Sequence, residues 1–157
     1  MRIWFDTEFY ENGRNIELIS IGAVREDGKT FYAETRDAAR LARTTQWLAL
    51  NVEPLLSVGN IHSYDRWEIA LSLADFAGEK PEFWAYYADY DWVALCQLYG
   101  NMLALPIGWP MYCRDVKQLC DDLGNPTLPK QTTAEHHALN DAIWTKEVWE
   151  FLQRLKS

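Results

Sequence analysis

Nothing in this sequence approaches the roughly 20 consecutive apolar residues that a membrane-spanning helix needs. The opening run Met1-Arg2-Ile3-Trp4-Phe5-Asp6 also meets a carboxylate too early for a secretory leader. Both features point to a soluble, cytoplasmic protein with no membrane partner. Cysteine is scarce: Cys96, Cys113 and Cys120 form an odd set without CxxC spacing, each among apolar neighbours. Buried, reduced thiols are expected, rather than disulfides or zinc ligands. Repeats, low-complexity tracts and linkers are missing too. The 157 residues, 48% of them hydrophobic, therefore read as a single domain, 1–157, whose core is large enough to need no staples. Positive charge is short as well, with 15 Lys and Arg against 23 Asp and Glu for a net charge of -8. That balance excludes tight, sequence-independent binding to long duplex DNA. It leaves a nucleic-acid substrate open, because carboxylates gathered around divalent cations add to the negative total while the bound ions present positive charge to a phosphate.

What is present has a clear order. Residues 2–9 and 16–24 are β-branched or apolar stretches of strand length, and 30–34 follows the turn Glu26-Asp27-Gly28-Lys29. These three form an antiparallel meander. Helix formers follow from Asp37, interrupted by Pro54 and Gly59, and an amphipathic helix is expected over Tyr64 to Phe76. Two strand-to-helix units come next. In the first, Glu82 to Ala88 feeds a helix from Trp92 to Tyr99; in the second, extended Met111 to Cys113 feeds a helix from Asp115 to Leu123. The loop Thr127 to Thr133 leads into a last helix that starts at about Ala134 or His136 and ends at Leu155. Together these predict an α/β fold with a mixed five-stranded sheet and helices packed on it.

Four acids stand out against this frame. Asp6 and Glu8 lie two apart in a strand and so project to one face, while Phe5, Thr7 and Phe9 point to the other. Side by side in an otherwise apolar strand, two such charges need a compensating cation, unless the tripeptide simply ends the strand at the surface. Asp91 sits where a strand gives way to a helix, the usual ligand position in open α/β sheets, although an ordinary first-turn acid is the alternative there. Asp89 competes with it. Asp91 is preferred because Val93, Leu95 and Leu98 put it on a helix whose other side enters the core. Asp141 interrupts a buried stripe of the last helix. His136, five residues earlier, is more than one helical turn away and so can reach over the site from the entering loop. His137 has the same setting without that spacing. The residues favour core packing for the Phe9 ring, with stacking on a base as the alternative.

The pattern Asp6-x-Glu8, Asp91, and His136-x-Ala138-x-x-Asp141 resembles the three motifs of the DEDDh exonucleases, which have the ribonuclease H-like (DnaQ-like) fold. Asp6 to Phe9, Ile16 to Val24, Tyr90 to Gly100 with Met102 and Ala104-Leu105-Pro106, and His136 to Ala142 resemble more narrowly the ribonuclease AS group of polyadenylate-specific exoribonucleases. The likeness covers nearly the whole chain, except about Asp37 to Lys80, and His137 replaces the residue usual at its position.

This resemblance implies a 3′-to-5′ exoribonuclease that releases nucleoside 5′-monophosphates from single-stranded RNA with poly(A) 3′ ends. It further implies two divalent cations, Mg²⁺ or Mn²⁺, held by Asp6, Glu8, Asp91 and Asp141, with Asp6 bridging both. His136 would act as general base, a role that its ordinary pKa near 6.5 suits. Thr7 and Phe9 would seat the terminal nucleotide, and the assembly would be a homodimer. Two readings compete: a single-stranded DNA exonuclease or short-oligonucleotide hydrolase, and a catalytically silent nucleic-acid-binding module.

Overall fold

The computed structural model describes residues 1–156, so Ser157, the last residue of the expected domain, lies outside the described residues. The chain opens with β1 (Arg2–Glu11), β2 (Ile16–Arg25) and β3 (Thr30–Thr35), followed by the short helices α1 (Ala38–Ala42) and α2 (Gln46–Asn51). Next come β4 (Ser63–Tyr64), α3 (Arg66–Ala77), β5 (Glu82–Ala85), α4 (Ala88–Leu98), β6 (Arg114–Asp115), α5 (Val116–Asp122) and α6 (Ala138–Lys156). The sheet order is β4-β3-β2-β1-β5-β6. The β1/β2 and β2/β3 pairs are antiparallel, whereas β1/β5, β5/β6 and β3/β4 are parallel. The sheet is mixed, as the sequence implies, but has six strands rather than five.

The extra strand has a physical cause. Asp65 and Glu68 form a reciprocal capping box at the start of α3, which sets the first helical residue at Arg66 and leaves Ser63 and Tyr64 extended beside β3. Other boundaries also move, and the helix expected from Trp92 already starts at Ala88, which puts Asp91 inside its first turns. The strand expected over 82–88 stops at Ala85, because Tyr87 turns left-handed (φ 58°). The strand expected at Met111 to Cys113 falls instead at Arg114–Asp115, in register with Trp84 and Ala85. The last helix begins at Ala138, after His136 has taken a left-handed conformation (φ 66°).

Strand alternation sorts β1 between two layers. Ile3 and Phe5 pack with α3 and α4 in a cluster that includes Ile69, Leu73, Phe83 and Leu95. Trp4 faces the opposite layer, against Val116 and Leu119 of α5 and Val148 and Leu152 of α6. Ile19 anchors α1 and α2 through Leu41 and Leu48. Cys96 and Cys120 are buried and Cys113 half-buried, all as free thiols. No helix among the described residues is long and apolar enough to cross a membrane.

Candidate active site

Beyond Trp4, the same face of β1 carries Asp6 and then Glu8, so a wall of the core becomes a pair of acids without a change of element. The β1/β5 pairing ends at Trp4 and Trp84, which frees the backbone N–H groups of β1 further along. One of them is used by the third acid. Thr7 donates to Asp91 Oδ1 twice, from its backbone N–H at 2.9 Å and from its hydroxyl at 2.5 Å. Asp91 thus reaches the strand from α4 across the open edge and is only 5% exposed, whereas Asp89 of the same turn is exposed.

Gly22 makes the fourth acid possible. It lies opposite Asp6 on one side and opposite Tyr32 on the other, and a Cβ added there would overlap the backbone of Ala138 and Leu139. Without a side chain, β2 lets the first turn of α6 settle onto the sheet between Asp6 and Tyr32. Asp141 is thereby brought beside Asp6 and Glu8. Its carboxylate ties down the preceding loop: Oδ1 accepts from Gln131 Nε2 at 2.6 Å, and Oδ2 accepts from the His136 backbone N–H at 2.9 Å.

A hollow of about 280 Å³ is lined by Asp6, Glu8, Asp91, Asp141 and His136, together with Thr7, Phe9 and three tyrosines. A His136 ring nitrogen and carboxylate oxygens of Glu8 and Asp141 all lie within 4.8 Å of one another. Trp47 of α2 meets the His136 ring edge-on at 4.9 Å. His137 goes elsewhere. It stacks on Tyr32 at 4.5 Å, half-buried, with Nδ1 enclosed and unpartnered among the described residues. Burial pushes its pKa down.

The electrostatics of the acids call for positive charge. Burial and the neighbouring carboxylates push Glu8 up to about 8. Burial pushes Asp91 up to about 7 against the opposing pull of the Thr7 hydrogen bonds. Asp6 is raised by burial and by Asp91, Glu8 and Asp141, and Asp141 is raised chiefly by burial. Among the described residues no Lys or Arg forms an ion pair with any of the four. An unneutralised cluster of hard oxygen donors fits divalent cations such as Mg²⁺ or Mn²⁺.

The expectation of core packing for Phe9 is overturned. Its ring stacks on the exposed Tyr90 at 5.6 Å and 13° on the rim of the hollow, because the ladder between β1 and β2 slips between Glu8 and Phe9. The sequence reading missed Tyr86, Tyr87, Tyr90, Gln131 and Trp47. The tyrosines adjoin Asp91 in the chain and could have been flagged by that proximity. Nothing local marks Trp47 or Gln131.

The sequence matches the family model described as the 3′-5′ exoribonuclease Rv2179c-like domain over residues 1–153. It is 41% identical over 147 residues to the 3′-5′ exoribonuclease Rv2179c of Mycobacterium tuberculosis strain H37Rv, a match covering 90% of this chain and 87% of the relative. The corresponding protein of strain CDC 1551 matches to the same extent. Among solved structures, zinc-bound E. coli exonuclease I in complex with single-stranded DNA is similar in fold, with a TM-score of 0.66 and 15% identity. That match covers 99% of this chain and 41% of the other, so the chain spans about two fifths of that exonuclease. The RNase domain of yeast Pop2 is similar with a TM-score of 0.56 and 14% identity, over 96% of this chain and 77% of that one. These likenesses show the ribonuclease H-like, DnaQ-type fold. With residues 1–153 under one family model, the chain belongs to the Rv2179c-like 3′-5′ exoribonuclease family.

Proposed function

We propose that this protein is a metal-dependent 3′-to-5′ exoribonuclease, one domain over 1–157, that releases nucleoside 5′-monophosphates from single-stranded RNA and prefers poly(A) 3′ ends. The observation that carries the reading is the convergence of Asp6, Glu8, Asp91 and Asp141 in one hollow lined also by His136, with no Lys or Arg among the described residues paired with any of the four. Asp6, Glu8 and Asp141 would hold two divalent cations, with Asp91 completing the set. Bound there, the ions supply Lewis-acid stabilisation of the charge that builds on the phosphate oxygens.

The chain's own groups do the rest. His136, held by Asp141 through its backbone N–H and by Trp47 through its ring, takes the proton of the attacking water. Thr7 holds Asp91 in place. The Phe9–Tyr90 pair offers an aromatic shelf for the terminal base, a contact worth about 1–3 kcal/mol and indifferent to base identity. The adenine preference and a homodimeric assembly draw their support from the family resemblance. A cytoplasmic location is consistent with the free thiols.

The test is product analysis on four homopolymer RNAs and matched DNA oligomers, with Mn²⁺ or EDTA. Release of 5′-monophosphates from RNA, fastest from poly(A) and abolished by EDTA, is expected. Cleavage of DNA alone would transfer the activity to the single-stranded DNA exonuclease suggested by the likeness to exonuclease I. Turnover of short oligomers alone would make it an oligonucleotide hydrolase. No turnover of any oligomer would leave a silent binding module.

A further inference from the structure

Beside the carboxylate hollow lies a second one of about 540 Å³, within the roughly 300–1,000 Å³ typical of small-molecule sites. The two share Asp6, Tyr86, Tyr87, His136 and Asp141. A phosphodiester held over Asp6 and Asp141 would thus have a hollow on hand for each of its ester arms. Their linings differ in a way that distinguishes the two arms. The carboxylate hollow has no Lys or Arg in its lining and carries the Phe9–Tyr90 shelf. A 3′-terminal nucleoside suits it, since such a nucleoside bears no phosphate beyond the one being cleaved. The second hollow is lined by one Lys, Lys130, and by the exposed Glu135, and the Lys130 side chain is in no ion pair among the described residues, with Glu135 or any other acid.

The loop that presents Lys130 is anchored on both sides. Trp144 Nε1 donates to the Pro129 carbonyl at 2.9 Å, and Gln131 Nε2 donates to Asp141 Oδ1 at 2.6 Å. The residues on either side of this lysine are thus tied to α6, Pro129 through its backbone carbonyl and Gln131 through its side chain, the latter to a carboxylate of the site itself. Tyr87 lines both hollows and is 64% exposed. Its left-handed backbone (φ 58°, ψ 54°) is held by the Asp115 carboxylate, which accepts its N–H at 3.1 Å. A bulky residue keeps such a conformation only where its surroundings enforce it.

We propose that the second hollow seats the penultimate nucleotide, with Lys130 pairing with the 5′-phosphate of that nucleotide. This rests on the exonuclease reading above. It supplies what the linings of the two hollows otherwise lack, a Lys or Arg for the phosphate upstream of the scissile one.

The experiment compares two dinucleotides, pApA and ApA, which differ only in that 5′-phosphate, using the full-length protein with Mn²⁺ at constant ionic strength. The readout is the ratio of their kcat/KM values. The parent should prefer pApA by about tenfold, the scale of one charge-assisted hydrogen bond. Lys130→Ala should bring the ratio close to unity, and Lys130→Arg should keep most of it. A purely structural role for Lys130 would lower both rates and leave the ratio alone, so a ratio that survives in Lys130→Ala overturns the proposal, as does a parent with no preference. A second arm follows KM for a longer RNA against salt. There Lys130→Ala should reduce the log–log slope by about 0.7, one single-strand phosphate contact, and an unchanged slope overturns the proposal even if neither dinucleotide is a substrate. A parent that cleaves neither the dinucleotides nor the longer RNA sinks the exonuclease reading itself, an outcome distinct from any change in ratio or slope.

Discussion

Gly22 leaves the space into which the backbone of Leu139 descends. Placed between Asp6 and Tyr32 in the strand register, it is the floor beneath the first turn of α6. It thereby determines where Asp141 and His137 stand. A methyl group there must lift the helix. Gly22→Ala is expected to cost roughly 1–3 kcal/mol, the range for overpacked interiors, and to depress kcat well beyond what partial unfolding explains. Urea denaturation combined with kcat measured far below the transition checks this. A destabilised variant with parental kcat would count against it.

The pH dependence of stability follows from the raised acids. Glu8 at about 8 and Asp91 at about 7 bind protons more tightly folded than unfolded. Their contribution is complete below the unfolded values and is lost as pH rises through the folded ones. In EDTA, stability should therefore fall between about pH 5 and about pH 8, and Glu8→Gln should flatten that fall. Mn²⁺ added at the upper end should restore it, because a cation favours the charged forms. Thermal melts across this range are the measurement, and a Tm that climbed with pH in EDTA would contradict the sign.

Thr7→Val keeps the shape of the side chain and the backbone donor but removes the hydroxyl that reaches Asp91 at 2.5 Å. Stability should drop by about 1–3 kcal/mol. Activity should fall about 10- to 100-fold, the usual effect of losing an outer partner of a metal ligand. Thr7→Ser, which retains the donor, should recover most of the rate in the same assay.

The two adjacent histidines should separate cleanly. His136→Ala is expected to lower kcat by about 10²- to 10⁴-fold, the range for loss of a general base, with the fold intact by circular dichroism. His137→Phe still places a flat ring on Tyr32 and should retain most activity. Equal losses in both would remove His136 from the mechanism.

Tyr87→Asn should show stability and function diverging. Asn tolerates the left-handed backbone better than a bulky ring does, so unfolding free energy should be held or rise. The ring that lines both hollows is gone, and KM for an RNA oligomer should rise. Denaturant melts and steady-state kinetics on one preparation measure both.

Much of the site could be read locally. The period of two in β1 put Asp6 and Glu8 on one face, and the apolar partners of Asp91 distinguished it from Asp89, which the structure leaves in solvent. The spacing from His136 to Asp141 placed the histidine on a loop, and the structure starts α6 only at Ala138. The sixth strand was missed although its cue, the Asp65 and Glu68 capping box, is written in the chain. Phe9 was misplaced because a slip in the ladder rotates it toward Tyr90, and such slips depend on the partner strand.

Composition and periodicity by themselves determined the mixed α/β architecture, the acid pair on β1 and the final amphipathic helix, since each depends on residues within one or two turns or pleats of each other. The tertiary structure alone decided the rest. Gly22 admits α6, the early end of β5 frees Thr7 for Asp91, and the Pro129 to Gln131 loop is pinned beside Asp141. Each of these joins groups far apart in the chain, and such approaches are set by how layers pack and where strands stop rather than by any local pattern.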